Sequence, residues 1–337
     1  MLKRNELRCR HMEIKQLKKR FIKDLVVGEE VNDLFSIKYK KPPRRYAGGF
    51  MFELRISDRT GQLNLKYWGT GNEETIRKLY DGLKNGDVIR VQGIVCEYKD
   101  VMEIGVNAET GDSIVVVQPG SYDIRDFVAI SEKDPDQMMS TLNSFIKKVE
   151  NSFLRTLLSS FFSDESFVEK FKHAPASISI HGNWVGGLLE HTLRVVQICE
   201  FQSRLYPNLD RDLLITGAVL HDIGKIGEYQ IKTSIEETDD GMLRGHLVIG
   251  AEMVSKACNS IPDFPENLKL KICHILLSHH GKPELGSPKI PMFPEAIAVS
   301  LADDMDSRIE QYIRTKEEAA TEDNWFWSKR LGSIYLR

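Results

Sequence analysis

The spacing of apolar residues changes period partway along this chain, and one layer of secondary structure cannot satisfy both periods. Before residue 120 the apolar residues alternate, with Phe50, Phe52, Leu54 and Ile56 in one run and Leu63, Leu65 and Tyr67 in the next. Successive side chains of a strand point to opposite faces, so each run builds one apolar face. Asp58-Arg59-Thr60-Gly61 between the runs is a turn signal. An earlier strand is expected near Val31 to Tyr39, and Val88–Val95 with Val101–Val106 reads as a hairpin. A short helix is expected around residues 73 to 83, between the third and fourth of these five strands.

From residue 134 the period becomes helical: Leu142, Phe145, Ile146 and Val149, then Phe153, Leu154, Leu157, Leu158 and Phe161. Further helices are expected over Val185–Leu205, Arg211–Leu220, Leu247–Asn259, Glu266–His279 and Pro294–Glu318. Tyr229 to Thr238, with Asp239-Asp240-Gly241, reads as a β-hairpin interrupting them. The expected fold class is α+β and multidomain. A five-stranded OB-type Greek-key barrel comes first, and an all-α domain with a short hairpin insertion follows. The boundaries read as an extension over 1–20, the barrel over 21–120, a linker over 121–134, the helical domain over 135–320 and a tail over 321–337. Pro135 sits where a first helical turn accepts it.

With 337 residues the chain can bury two cores, and 41% hydrophobic and 28% charged residues are ordinary for a globular protein. A net charge of −3 means that a nucleic-acid partner must be held by local basic patches. Cys9, Cys96, Cys199, Cys258 and Cys273 form no Cys-x-x-Cys pair, so free thiols in a reducing cytoplasm are expected. The charged start, Met1-Leu2-Lys3-Arg4, lacks the apolar stretch of a signal peptide, and residues 1 to 11 are expected to stand outside the folded part. No run approaches the roughly 20 apolar residues of a membrane helix.

The chemistry is concentrated in the helical half. His191, His221-Asp222, His246, His279-His280 and Asp303-Asp304 recur at separations of 30, 25, 33 and 24 residues, counted from His191 through His221, His246 and His279 to Asp303. One helix each contributing to a shared metal centre explains that pattern. Asp303 interrupts the apolar run Ile297-Ala298-Val299-Ser300-Leu301-Ala302, where a carboxylate needs a partner such as a cation. A lone histidine in a helix is more often packing or surface, and His11 and His173 take that reading. Mixed imidazole and carboxylate donors suit Mn²⁺, Fe²⁺, Zn²⁺ or Co²⁺ better than Mg²⁺. A metal-dependent phosphohydrolase is therefore expected.

His191, His221-Asp222 and Asp303 resemble the H…HD…D signature of the HD superfamily of metal-dependent phosphohydrolases. Gly187–Thr192, His221–Lys225, Gly245–Gly250, Ser278–Gly281 and Ala302–Asp306 are similar to segments of the YhaM-type 3′–5′ exoribonucleases, which also place an OB-type domain first. The resemblance implies a first metal on His191, His221, Asp222 and Asp303. It implies a second on His246 and His279 or His280, bridged by Asp222, with Mn²⁺ as the ion. Asp222 and Lys225 would be catalytic, Lys225 neutralising a nonbridging phosphate oxygen; a solvated helix-end lysine is the plain alternative. Asp304 and Asp306 read as helix-surface or substrate-side groups, and Glu190 either supports the ligands from behind or faces solvent and is left out of the site.

Lys38–Tyr46 is the sharpest basic cluster and falls where the loop between the first two strands is expected. Lys41, Arg44, Arg45 and Tyr46, with Arg55, Lys66 and Trp68 on the polar strand face, are the candidate nucleic-acid contacts. Trp68 and Tyr98 are the candidate stacking platforms. The expected function is hydrolysis of single-stranded RNA from its 3′ end to nucleoside 5′-monophosphates, through metal-activated water. The alternatives are a phosphohydrolase of small nucleotides, an exonuclease on single-stranded DNA, and a non-catalytic nucleic-acid binder. The apolar tail, Trp325-Phe326-Trp327 through Ile334-Tyr335-Leu336, makes a homo-oligomer an expectation.

Overall fold

The computed structural model describes residues 17–69, 71–99, 101–178, 184–319, 321, 323–328 and 331–337. Cys9 and His11 lie outside the described residues. The chain divides into two compact units. One runs to Ala129 and takes in Lys232–Ser234, and the other comprises Ile130–Ile231 and Ile235–Arg337.

The first unit is built on six strands: β1 (Glu30–Tyr46), β2 (Gly49–Asp58), β3 (Gly61–Trp68), β4 (Val88–Tyr98), β5 (Val101–Asn107) and β6 (Ser113–Val117). Helix α1 (Glu73–Gly82) follows β3, and the Asn72 side chain caps it by accepting from the Thr75 amide at 3.2 Å. The sheet runs β1-β2-β3-β5-β4-β6, and a second pairing of β1 with β4 closes the first five strands into a barrel. Closure removes the open edges, and β3 pairs with β5 in parallel. The alternation puts Phe52, Leu54, Ile56 and Leu65 inside, with Phe35, Ile89, Val91 and Ile104 from the other strands. At the expected turn the Asp58 carboxylate accepts from the Thr60 amide at 2.8 Å, tying the β2–β3 hairpin.

Two expectations change here. The basic cluster is strand and not loop: β1 pairs with β2 as far as Tyr46 opposite Gly49, leaving only Ala47 and Gly48 to turn. Register shifts between Ile37 and Tyr39 and between Lys41 and Arg44 let the strand pass Pro42-Pro43, which cannot donate to the ladder. Strand β6 was not anticipated. It adds to β4 outside the closed barrel, and its unbroken run Ile114-Val115-Val116-Val117 carries no alternation to read.

The second unit contains α2 (Pro135–Ile146), α3 (Ser152–Phe162), α4 (Glu165–His173), α5 (Gly187–Leu205), α6 (Arg211–Leu220) and the short α7 (Lys225–Glu228). Strands β7 (Tyr229–Ile231) and β8 (Ile235–Glu237) form a hairpin, followed by α8 (Asp239–Asn259), α9 (Glu266–Ser278) and α10 (Pro294–Glu318). Strands β9 (Trp325–Ser328) and β10 (Gly332–Tyr335) pair at the end, so the apolar tail is a hairpin that buries Ile334 and Leu336. Caps set the starts: Asp134, Asn151, Asp164 and Asp210 each accept backbone N–H groups in the first turn of α2, α3, α4 and α6. Asp239-Asp240-Gly241 opens α8 instead of turning the hairpin, because the Thr238 hydroxyl accepts from the Gly241 amide at 2.9 Å. Helix α4 was not foreseen as a separate element. Helix α6 is buried without a break from Leu213 to Leu220 and runs through the middle of the core. Its end therefore delivers His221 and Asp222 into the protein interior.

Candidate metal centre

Two helix ends, one helix break and two helix faces converge on this point. His221 closes α6 and Asp222 follows it; His279 closes α9 and His280 follows it. His191 lies in α5, Asp303 in α10, and His246 directly follows a break in α8 at Gly245, whose φ is 68° and ψ 159°. His191, His221, Asp222 and His279 are at most 1% exposed. The two oxygens of Asp222 face different partners. Oδ2 lies 3.4 Å from His191 Nε2 and 3.4 Å from His221 Nε2. Oδ1 lies 3.5 Å from His246 Nε2 and 3.4 Å from His279 Nε2. Asp303 Oδ1 stands 3.2 Å from His191 Nε2, and His280 Nε2 stands 3.3 Å from His246 Nε2.

Hydrogen bonds on the far side of each ring fix what these nitrogens can be. The Nδ1 atoms of His221, His279 and His280 meet the backbone oxygens of Ala218, Leu276 and Leu285 at 2.8, 2.8 and 2.9 Å. Those of His191 and His246 meet Asp306 at 2.7 Å and Glu228 at 3.1 Å. Carbonyls and carboxylates only accept, so each Nδ1 carries the proton and the neutral ring aims the lone pair of Nε2 inward. Five imidazole lone pairs and two carboxylates thus point at one another. Asp222 Oδ1 and His279 Nε2 are buried with no hydrogen-bond partner among the described residues. Acceptors facing acceptors repel unless a cation lies between them. Donors about 2.1 Å from one ion stand roughly 3.0–3.4 Å apart in octahedral or tetrahedral arrangements. That is the spacing observed, so the residues fit a divalent metal.

Electrostatics agree. Burial pushes the Asp222 carboxyl up, but Lys225, His221 and His191 outweigh it and hold it well below the usual carboxylate range. Asp303 is likewise held low against burial by His191 and His279. Burial pulls the His279 ring down to about 4, which keeps it neutral, and lowers His280 as well. His191 moves the other way: burial opposes its charge, but Asp222, Asp303 and Asp306 raise it well above the ordinary value. A proton is thus the alternative occupant of the position that a cation would take beside His191.

The structure brings all seven sequence-predicted ligands together and sets Lys225 Nζ 2.6 Å from Asp222 Oδ2. It corrects Asp306, which is 7% exposed and not on the helix surface; its carboxylate holds His191 and receives Arg194. The three-residue step from Asp303 to Asp306, one turn on the same face of α10, was the available signal. Sequence reasoning also missed Glu228, which accepts from both the backbone amide and the ring of His246, and Glu190, which holds Trp184 and Arg194. Asp304 is paired with Arg308 at 2.7 Å.

On the barrel, Lys41, Arg44, Arg55, Lys66, Tyr46 and Trp68 meet on the outer face of β1, β2 and β3. Lys41 and Arg44 share Glu53 at 2.7 and 2.6 Å. Arg55 donates to Asn64 at 3.0 Å, and Lys66 pairs with Glu103 at 2.8 Å while lying over the Tyr98 ring. Trp68 is half-buried, with Tyr46 edge-on at 4.9 Å, and Arg45 is exposed opposite Phe50.

Residues 188–308 match the HD domain family and residues 37–110 match the OB-fold nucleic acid binding domain family, so fold and site define an HD-domain protein with an OB domain ahead of it. The 3′-5′ exoribonuclease YhaM of Bacillus velezensis is 30% identical over 296 residues, covering 86% of this chain and 89% of that protein. The YhaM proteins of Shouchella clausii and Bacillus subtilis are each 28% identical over 86% of this chain, covering 88% and 89% of their own lengths. The chain belongs to the YhaM 3′-5′ exoribonuclease family.

Proposed function

We propose that this protein is a metal-dependent 3′–5′ exoribonuclease that hydrolyses single-stranded RNA to nucleoside 5′-monophosphates. The observation that carries the chemistry is Asp222, whose two oxygens face two separate sets of imidazole nitrogens. That arrangement supports two ions bridged by one carboxylate: His191, His221, Asp222 and Asp303 around one, and Asp222, His246, His279 and His280 around the other. Mn²⁺ is the proposed ion, in keeping with the mixed nitrogen and oxygen donors. When bound, it would polarise the phosphoryl group and supply the water nucleophile. Hydrolysis adds the water oxygen to phosphorus and breaks the bond to the 3′-oxygen of the penultimate nucleotide. The chain's own residues prepare this. Asp306 and Glu228 fix the rings of His191 and His246, and Lys225 keeps Asp222 ionised in a nearly dry site.

The barrel face supplies the grip. Lys41, Arg44, Arg45, Arg55 and Lys66 offer charge to a phosphate backbone, while Tyr46 and Trp68 offer rings to bases. The OB-type domain is assigned to residues 21–120 and the hydrolytic domain to 135–320.

The test is incubation of purified protein with 5′-labelled single-stranded RNA and Mn²⁺, beside a His221→Ala, Asp222→Ala double variant. A ladder shortening from the 3′ end in the wild type alone is the expected result. Intact RNA with metal bound would overturn the reading and point to small nucleotides.

A further inference from the structure

A cleft of about 300 Å³ lies between α10 and the residues that follow α9, beside the metal centre. It is lined by His280, whose Nε2 belongs to the cluster, and by Asp304 with Arg308, Asp304 following the ligand Asp303 on α10. Leu285, Ile297 and Leu301 form an apolar part of its wall and are 57, 47 and 59% exposed, unusually open for side chains of that size, while Lys282 and Ser300 also line it. The volume sits at the lower end of the roughly 300–1,000 Å³ of small-molecule sites, room for one nucleoside and not for two.

We propose that this cleft takes the 3′-terminal nucleoside of the substrate and that Asp304 is the group that recognises its free 3′-hydroxyl. The assignment rests on the nuclease reading above and deepens it. A nucleoside in the cleft puts its 5′-phosphate at the His280 end, beside the metal ligands, and its sugar toward Asp304. Leu285, Ile297 and Leu301 can hold a base by contact, without reading its hydrogen-bond pattern. The Asp304 carboxylate can only accept, and Arg308 Nε donates to its Oδ1 at 2.7 Å, which orients it. Among the described residues Oδ2 has no bonded partner, so it is the atom that accepts from a hydroxyl. The same charge repels a 3′-phosphate, so the residue that accepts the correct end also rejects the wrong one. This makes Asp304 a specificity-determining residue distinct from its neighbour Asp303, which lies against His191.

The full-length protein is given three RNAs that differ only at the last nucleotide: 3′-hydroxyl, 3′-deoxy and 3′-phosphate. The wild type is expected to prefer the hydroxyl end by about 10- to 100-fold over both others, the ratio of a charge-assisted hydrogen bond made or lost. Asp304→Asn should slow removal of the hydroxyl end and speed removal of the phosphate end, so that the ratio collapses. A gain on one substrate cannot come from misfolding. Leu301→Trp, a change at an exposed position, should fill the cleft and raise KM for all three ends while leaving Mn²⁺ binding by calorimetry unchanged. Binding of a nucleoside 5′-monophosphate, followed by the same calorimetry, should weaken in both variants. A wild type indifferent to its 3′ end, or an Asp304→Asn that slows all three RNAs alike, would overturn the assignment. A wild type that cuts none of them sinks the nuclease reading itself, and the assignment with it.

Discussion

Replacing Asp306 tests whether the second contact of each histidine matters as much as the first. Asp306 is not placed to be a ligand. It accepts from His191 Nδ1 at 2.7 Å and leaves Nε2 to face Asp222 and Asp303. In Asp306→Asn the amide oxygen can still accept from Nδ1–H, while the charge and the bond that Arg194 Nε donates to Oδ1 are lost. A hydrogen bond to a charged group contributes about 1.5–3 kcal/mol and a neutral one about 0.5–1.5, a difference near 1–1.5 kcal/mol. At about 1.4 kcal/mol per factor of ten, that is a five- to tenfold loss of metal affinity. Asp306→Ala strands a fully buried N–H and frees the ring to turn, for which a loss of about 10- to 100-fold is expected. Arg194 keeps Glu190 at 2.9 Å in either variant, so the salt-bridge network on α5 does not collapse with it. The assay is a Mn²⁺ titration by calorimetry, paired with RNA cleavage at rising Mn²⁺. The loss should appear in affinity, and saturating metal should restore most of the rate. A folded Asp306→Ala with an unchanged binding isotherm would refute the view that Asp306 orients His191.

Three further outcomes follow from the same geometry. The metal-free protein should lose stability as pH rises through the raised His191 pKa, because that contribution is complete only below the ordinary value of 6.5. Metal binding expels the proton, so the rise in Tm caused by Mn²⁺ should be larger near pH 8 than near pH 6; equal increments in calorimetry would contradict this. Gly224→Ala would put a methyl group 2.0 Å from the His246 carbonyl oxygen and 2.6 Å from the Gly250 amide. It should cost about 1–3 kcal/mol in urea unfolding and weaken Mn²⁺ binding through His246, and a neutral substitution would show that α7 and α8 can part freely. On the barrel, Lys41→Ala with Arg44→Ala should weaken single-stranded RNA binding and reduce its salt dependence. Glu53→Gln, which frees both cations, should strengthen it; no change in the slope of affinity against salt in either variant would remove this face from the RNA path.

The parts of this fold that repeat at short range were legible in the sequence. Alternation predicts Phe52, Leu54, Ile56 and Leu65 inside the barrel, and helical spacing finds α5, α6, α9 and α10 nearly to their ends. The ligands stood out because histidines and an aspartate interrupt apolar helices, where only a bound cation makes them welcome. What escaped depends on partners far away in the chain. Asp306 is 115 residues from His191, and Glu228 is 18 residues from His246 across an insertion. Neither spacing carries a local period. The β1 extension escaped for another reason: Pro42-Pro43 argues for a loop, and only the pairing with β2 shows that the strand bulges past it.

The break at Gly245 has a consequence for how His246 is held in place. Glu228, at the end of α7, accepts from the His246 amide at 3.1 Å and so caps a new helical segment that starts at the ligand itself. The carboxylate that orients the His246 ring also resets the helical register there. Residues 229–244, which carry β7, β8 and the first part of α8, leave from Glu228 and return to the ligand that Glu228 caps. The position of the ligand is thus set by a side chain at the end of α7, 18 residues back along the chain, as much as by the helix it stands in.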